Sequence, residues 1–325
     1  MTEATPGAQP AREFVFVLLE DFTLIAFAAA IEPLRIANMA SGRTLYRWRV
    51  LSESGEPVRA SCGVELRVDG PLQECPREAT AIICGGIDVA KRATRPLINW
   101  LRREARRGVA MGAVCTGAHV LARAGLLDGR RATIHWENRE GFAEEFPEVD
   151  LGGHVYVLDG DRMTAAGGAS SADMMLRIIA AEHGAELAGE VADQLVYSTP
   201  RAEGDPQRLS VPARIGVRHP KLAQVIRMMN ENIEEPISAA ALAEAAGMST
   251  RQLERLFRRY LDRSPKRYYL ELRLEKARRL LLQTDMSVIN IALACGFTSP
   301  SHFSKCYRSR YNRTPYRERG ISGPE

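Results

Sequence analysis

Two stretches near the carboxyl end of this 325-residue chain repeat one another. Residues 238–247, SAAALAEAAG, align with residues 287–296, SVINIALACG, at an offset of 49. Residues 257–265, FRRYLDRSP, then align with residues 307–315, YRSRYNRTP, at an offset of 50, so one residue is inserted between the two blocks. Internal self-similarity of this kind restricts the chain to building one supersecondary unit twice. Each copy reads as a short Ala-rich helix, a turn carrying glycine, and a second helix with basic residues.

The turn chemistry supports this reading. Gly247 and Gly296 supply a positive φ that ends the first helix without a Cβ clash. Ser249 is placed to cap the next helix, with Gln252 completing a capping box three residues later. In the second copy Ser299 is the cap, and Pro300 takes the first helical position, where its missing N–H costs nothing. Leu253, Leu256 and Phe257, like Phe303, Cys306 and Tyr307, fall at i, i+3, i+4 and are expected in the core. Arg251 and Arg255 in one copy, and Ser301, His302 and Lys305 in the other, are left facing outward. The motif is a helix-turn-helix, present twice.

Between the copies, Ser264 caps a helix expected from Pro265 to about Gln283, with Leu270, Leu274, Ala277 and Leu281 as its buried stripe. About 19 residues at 1.5 Å each span roughly 28 Å, near the roughly 34 Å of one DNA turn. Two recognition helices so spaced suit successive major grooves. Charge agrees: residues 1–214 carry a net −5, whereas residues 215–325 carry +9. A basic module on a mildly acidic body is the footprint of a polyanion binder.

Residues 220–319, including the closing GFTSPSHFSKCYRSRYNRTP, resemble the DNA-binding domain of AraC/XylS-type transcription regulators. By position, that resemblance implies base reading by Arg251 and Arg255, then by Pro300, Ser301 and Lys305. Gln252 and His302 complete the expected DNA-facing set, His302 as a packed or phosphate-facing residue. Arginine or lysine to guanine is the commonest specific contact, and phosphate positioning is the alternative role for each cation. The proline at 300 departs from the hydrogen-bonding residues often found there.

Residues 13–197 alternate apolar runs with helical patterns. Residues 14–19 (FVFVLL), 81–84 (AIIC) and 109–114 (VAMGAV) read as strands buried on both faces. Helices are expected at 26–39, 96–107 and 117–124, a hairpin over 155–165, and further helices at about 171–182 and 186–197. The alternation predicts a parallel α/β sheet. Cys115, in Val114-Cys115-Thr116-Gly117, falls at a strand-to-helix junction where a helix dipole can depress a thiol pKa. Catalysis there needs a base within reach. His119, His135 (in a strand expected over 133–136), Glu20 and Asp21 are available, but their spacing dictates none of them. A buried inert cysteine is the commoner case, so no catalytic residue is assigned.

The segment around residues 112–136 (GAVCTGAHVLARAGLLDGRRATIHW), continuing through Gly167-Gly168 to HGAELAGEVADQLV, resembles the PfpI-like, class I amidotransferase-like sensor domain of GlxA-type regulators. It lies near the subgroup responding to arginine, glycine betaine and carnitine. The resemblance implies a flavodoxin-like α/β sensor joined to an all-α reader. It also implies a non-enzymatic, activating regulator of a catabolic operon that dimerises and works with RNA polymerase on double-stranded promoter DNA. A small cationic or zwitterionic metabolite would want an aromatic face and a carboxylate. Cys115, Thr116, His135, Trp136, Asp173 and Glu32 are the candidate ligand residues.

The expected organisation is a disordered tail to residue 12, the sensor over 13–197, a proline-rich linker over 198–219, the reader over 220–319 and a short tail. The first twelve residues lack a signal peptide's apolar core, and the longest apolar run is far short of a membrane span, which predicts a cytoplasmic protein. The six cysteines form no C-x-x-C pair and are expected to stay reduced, with no metal and no cofactor. A cysteine hydrolase or amidase fused to a DNA-binding module, and a ligand-independent architectural DNA binder, are the competing readings.

Overall fold

The structure, a computed structural model, describes residues 10–207 and 219–319. The chain divides into two units after Gln207. The expected tails at 1–9 and 320–325, and most of the expected linker, lie outside the described residues.

The first unit is built on a seven-stranded sheet. Its strands are β1 (Arg12–Leu18), β2 (Tyr46–Ser52), β5 (Gly70–Pro71), β6 (Thr80–Cys84), β7 (Ala110–Val114), β10 (Tyr156–Asp159) and β11 (Arg162–Ala165), in the order β10-β11-β7-β6-β1-β2-β5. All neighbours run parallel except the β10–β11 hairpin. Two small sheets pair β3 (Val58–Arg59) with β4 (Glu65–Leu66) and β8 (Arg131–Ala132) with β9 (Asp150–Leu151).

Among the described residues, seven helices accompany the sheet: α1 (Leu24–Ser41), α2 (Val89–Arg92), α3 (Arg95–Arg106), α4 (Ala118–Arg123), α5 (Arg139–Glu145), α6 (Ser170–His183) and α7 (Ala185–Gln194). Side chains along a strand alternate between faces, and β1 uses both. Phe14, Phe16 and Leu18 pack with α1, α6 and α7, while Val15 and Val17 pack with α3 and α4. This is the parallel α/β sheet expected from the apolar runs, in the flavodoxin-like form that the family resemblance implies.

Four details differ from the sequence reading. Strand β2 (YRWRVLS) was not anticipated, because its alternating arginines hide it from a search for continuous apolar runs. Arg12 belongs to β1 rather than to a tail, and its Nη2 donates to Thr80 Oγ1 at 2.8 Å. Residues 133–136 form no strand: pairing stops at Ala132, and the chain turns so that His135 N donates to the Cys115 carbonyl at 3.4 Å. Helix α1 extends to Ser41 and is apolar enough by length and composition to cross a membrane, yet it buries Phe27, Leu34 and Ile36 in the core.

The stretch expected to open the linker is also fastened to the first unit as far as Gln207. Val155 N donates to the Asp205 carbonyl at 3.0 Å. Gln207 Nε2 donates to Thr133 Oγ1 and to the carbonyls of Ile134 and His154 at 2.9–3.0 Å. Proline content marked this segment as irregular, which it is; backbone and side-chain bonds make it part of the domain.

The second unit is helical and duplicated element by element. After a helix over Pro220–Glu231, the first motif pairs Ala239–Ala245 with Thr250–Leu261, and the second pairs Val288–Ala294 with Pro300–Tyr311. The lengths match, seven and twelve residues in each copy. Ser238 Oγ and Ser287 Oγ cap the short helices, accepting from Ala241 N at 3.2 Å and Asn290 N at 3.1 Å. The inserted residue falls in the turn, where Met248 alone corresponds to Phe297 and Thr298.

The linking helix runs Pro265–Gln283, capped by Ser264. Its first half puts Tyr269 into a core with Val225, Leu242, Leu253 and Phe257. Its second half puts Leu274, Ala277 and Leu281 into a core with Ile291, Phe303 and Tyr307. One rod therefore serves two small cores. Leu256, Leu270 and Cys306, expected in those cores, lie half-buried at their margins.

Candidate nucleic-acid interface and effector site

On the recognition helices, the local sequence decides which side chains stay free. Ser249 Oγ accepts from Gln252 N at 3.3 Å, and Gln252 Oε1 accepts from Ser249 N at 2.8 Å, closing the expected capping box. The Gln252 carbonyl oxygen is thus spent on the helix start, leaving its amide nitrogen outward. Ser299 Oγ accepts from His302 N at 3.3 Å, and Pro300 opens the second recognition helix. With Leu253, Phe257, Phe303 and Tyr307 buried, Arg251, Gln252, Arg255, Pro300, Ser301, His302 and Lys305 are all exposed. His302 lies against the Phe297 ring, with its Nε2 3.4 Å from Cys306 Sγ.

Among the described residues, the ion pairs of this unit lie elsewhere, at Arg263–Glu271, Arg267–Glu271 and Arg278–Glu318. Arg251, Arg255 and Lys305 enter none of them and are left for an outside anion. The sequence reading did not single out Arg258 and Arg308, which are exposed on the same two helices. A shallow groove formed by Ser304, Lys305, Arg308, Ser309, Asn312 and Thr314 mixes cations with hydroxyls, a combination suited to phosphate oxygens.

In the first unit Cys115 occupies the expected junction between β7 and α4 with φ of 60°, a left-handed conformation that costs an L-residue about 1–2 kcal/mol. Its N–H donates to the Ala165 carbonyl at 3.0 Å, and Gly167 lies close against it. A Cβ at Gly167 would lie 2.8 Å from Cys115 Cα and Cβ, and Gly167 itself has φ of 95°. Only glycine fits there.

The thiol environment is that of the buried, inert cysteine and not of one activated by the helix dipole. Cys115 is 6% exposed, and burial pushes its thiol up from the ordinary value, although a hydrogen bond shared with Thr23 Oγ1 at 3.3 Å and one from the Thr116 backbone pull it back. Helix α4 is only six residues long, so its dipole is small beside the desolvation.

Neither histidine serves the thiol as a base. His119 Nε2 is 2.9 Å from Glu145 Oε2, with its ring edge-on to Phe146. His135 Nδ1 accepts from Glu137 N at 3.4 Å. Burial lowers both imidazoles, against the pull of Glu145 and Glu137 respectively. No hydrogen bond joins either ring to the thiol among the described residues. Glu20 is exposed, and Asp21 pairs with Arg92 at 2.8 Å. The group the sequence reading missed at the thiol is the Thr23 hydroxyl, 92 residues away along the chain.

The structure sorts the six ligand candidates. Cys115, Thr116, His135 and Trp136 come together through the His135–Cys115 backbone bond, although Thr116 Oγ1 donates to the Gly86 carbonyl at 2.7 Å. Trp136 is half-exposed beside His135 rather than core, their rings 5.6 Å apart.

Asp173 is corrected. Its carboxylate is fully buried and accepts from Tyr197 Oη, Arg201 N and Arg201 Nε at 2.8–2.9 Å, so internal donors already saturate it. Glu32 is corrected as well. It pairs with Arg35 at 2.7 Å and stands nine residues beyond Thr23 on α1, about 13 Å along the axis from the elbow. The carboxylate beside the elbow is that of Glu137, which adds to the upward push on the thiol.

Comparison with known proteins fits both halves. The profile described as "Helix-turn-helix domain" matches residues 242–320, and that of the "DJ-1/PfpI family" matches residues 14–181. The chain is 45% identical to the HTH-type transcriptional regulator GbdR of Pseudomonas aeruginosa, covering 98% of this chain and 88% of that protein. It is 37% identical to the HTH-type transcriptional regulator GlxA of Rhizobium meliloti, covering 98% and 99%. Among solved structures, an AraC family transcriptional regulator from Pseudomonas putida matches 57% of this chain and 99% of its own, at 29% identity and a TM-score of 0.51.

Proposed function

The chain belongs to the AraC-type helix-turn-helix transcriptional regulators that carry a DJ-1/PfpI domain, and from that premise we propose that it reads a specific operator through two tandem recognition helices under the control of a small cationic or zwitterionic metabolite. It is a regulator and not an enzyme, as its relatives' names also indicate. The observation that carries the DNA reading is the duplicated motif, with two equal recognition helices on which Arg251, Arg255, Lys305 and Arg308 enter no ion pair among the described residues. In this reading Arg251, Arg255 and Lys305 reach bases, while Arg308 and the groove beside it seat a phosphate.

The effector site in this reading is the elbow, where Trp136 supplies a ring face and Glu137 a carboxylate to an amino acid or quaternary amine next to Cys115 and His135. Such a ligand gains from both cation–π and charge attraction. Activation of a catabolic operon in the cytoplasm, by a homodimer that engages RNA polymerase, completes the proposal. The test is a thermal-shift panel of arginine, glycine betaine and carnitine on the full chain, since a ligand of the folded state raises the melting temperature by mass action. A shift that disappears in both Trp136→Ala and Glu137→Gln supports the site. A shift that survives in both places the ligand elsewhere, and no shift with any of the three removes this effector class.

A further inference from the structure

The linking helix holds one loop from each helix-turn-helix unit, and the two loops meet. Tyr269, 6% exposed, donates its hydroxyl to the Asn232 carbonyl and accepts from Ile237 N at 3.4 Å. It thereby fastens the loop that leads into the first motif. One helical turn on, Arg273 donates through Nε to the Cys295 carbonyl at 2.8 Å and through Nη2 to the Gly296 carbonyl at 2.7 Å. Its guanidinium also lies over the Phe297 ring, 4.1 Å from the centroid. Arg273 thus grips the turn inside the second motif. The two gripped loops touch at Gly296, where an added Cβ would stand 2.5 Å from the Ile233 carbonyl oxygen and 2.9 Å from that of Glu234. Backbone meets backbone there.

We infer that Tyr269 and Arg273 form a clasp that sets the rotation and spacing of one recognition helix relative to the other, making them positioning residues for sequence reading although neither faces DNA. Residues four apart on a helix share a face, so one rigid element carries both grips. The guanidinium suits its task, because its planar fork satisfies two adjacent carbonyls at once, which an ammonium point charge does not. The consequence is a demand on the DNA. Helices fixed one turn apart fit only sites whose two contacted blocks keep that spacing, and one inserted base pair rotates the second block by about 35°. Loosening the clasp lets the second motif follow the displaced block, at the cost of ordering it on binding.

This inference rests on the two-groove reading proposed above, and one experiment separates the two. A duplex selected by the full chain from a random library is remade with one and with two base pairs inserted between its contacted blocks. Binding is measured by fluorescence anisotropy. The wild-type chain is expected to lose about tenfold or more on a one-pair insertion, the scale of a lost base contact set. Arg273→Ala and Tyr269→Phe are expected to bind the parent duplex more weakly yet lose less than about threefold on insertion, with Arg273→Lys in between.

Folded variants that keep the full wild-type insertion penalty would make Tyr269 and Arg273 merely structural and overturn the clasp. A wild-type chain indifferent to insertion overturns the two-groove reading, and the clasp with it. Should Arg273→Ala lose its helical circular dichroism, Tyr269→Phe, which keeps the buried ring, decides.

Discussion

Arg201 closes over Asp173: its Nη2 stands 2.7 Å from a carboxylate oxygen that has no exposed surface, and its backbone N–H bonds the other oxygen at 2.8 Å. Arg201 Nε and Tyr197 Oη donate as well, so the start of α6 holds the segment that leaves the first domain. Breaking a buried pair strands the surviving charge. Asp173→Asn is expected to cost about 3 kcal/mol, the low end for such pairs because Arg201 is about a third exposed. Thermal unfolding of the full chain measures it, and a loss under about 1 kcal/mol would show a pair no stronger than a surface one.

The recognition helices separate two kinds of cation. Arg251→Ala or Arg255→Ala is expected to cost about 1–3 kcal/mol on a selected duplex and to relax selectivity at one position. Arg308→Ala should instead weaken all duplexes alike and reduce the salt slope by about one. Anisotropy titrations across salt concentrations, on selected and scrambled duplexes, distinguish the patterns. Uniform loss for Arg251 or Arg255 would reassign that residue to the phosphate backbone.

The equivalent turn glycines should respond unequally. Gly247 has φ of 61°, and the nearest atom to an added Cβ is the far end of the Lys221 side chain at 3.6 Å. Gly247→Ala therefore carries only the left-handed penalty of about 1–2 kcal/mol. Gly296 has φ of 74° and, in addition, backbone 2.5 Å from an added Cβ. Gly296→Ala is expected to cost at least about 1 kcal/mol more than Gly247→Ala by denaturant unfolding, because the neighbouring backbone has to shift. Equal costs would mean that the two loops yield easily.

The buried histidines give the first domain a pH dependence. Burial lowers His119 and His135, so the folded state refuses protons that the unfolded chain accepts. Their contribution is present above the unfolded value of about 6.5 and is lost as pH falls through the folded values. Melting temperature should therefore decline below about pH 6.5. His119→Gln should flatten the decline, even though it lowers stability at pH 7.5. An unaltered acid slope in both His119→Gln and His135→Gln would assign the effect to other groups.

Reactivity tests the elbow thiol. Because burial raises Cys115, little of it is thiolate at neutral pH, and iodoacetamide should modify exposed Cys62 first. Peptide mass spectrometry over time at pH 7 and pH 9 follows both sites, with Cys115 lagging at each. Cys115→Ser should leave DNA binding in place. Rapid selective labelling of Cys115 would instead indicate an activated thiol.

Legibility in the sequence followed the range of the interactions involved. Caps, turns and the seven- and twelve-residue helices of each repeat were readable because Ser249 and Gln252, or Gly296 and its turn, satisfy their backbone demands within a few residues. Apolar runs such as residues 14–19 likewise declared a strand covered on both faces. Beyond that range, the tertiary structure decided. The Thr23 partner of Cys115, the capture of Asp173 by Arg201 and the fastening of Gln207 join residues 92, 28 and 74 positions apart, and each depended on which strand lay beside which. The thiol shows the physical reason most clearly: its local address at a helix start favours the thiolate, but desolvation by distant segments outweighs a short helix dipole.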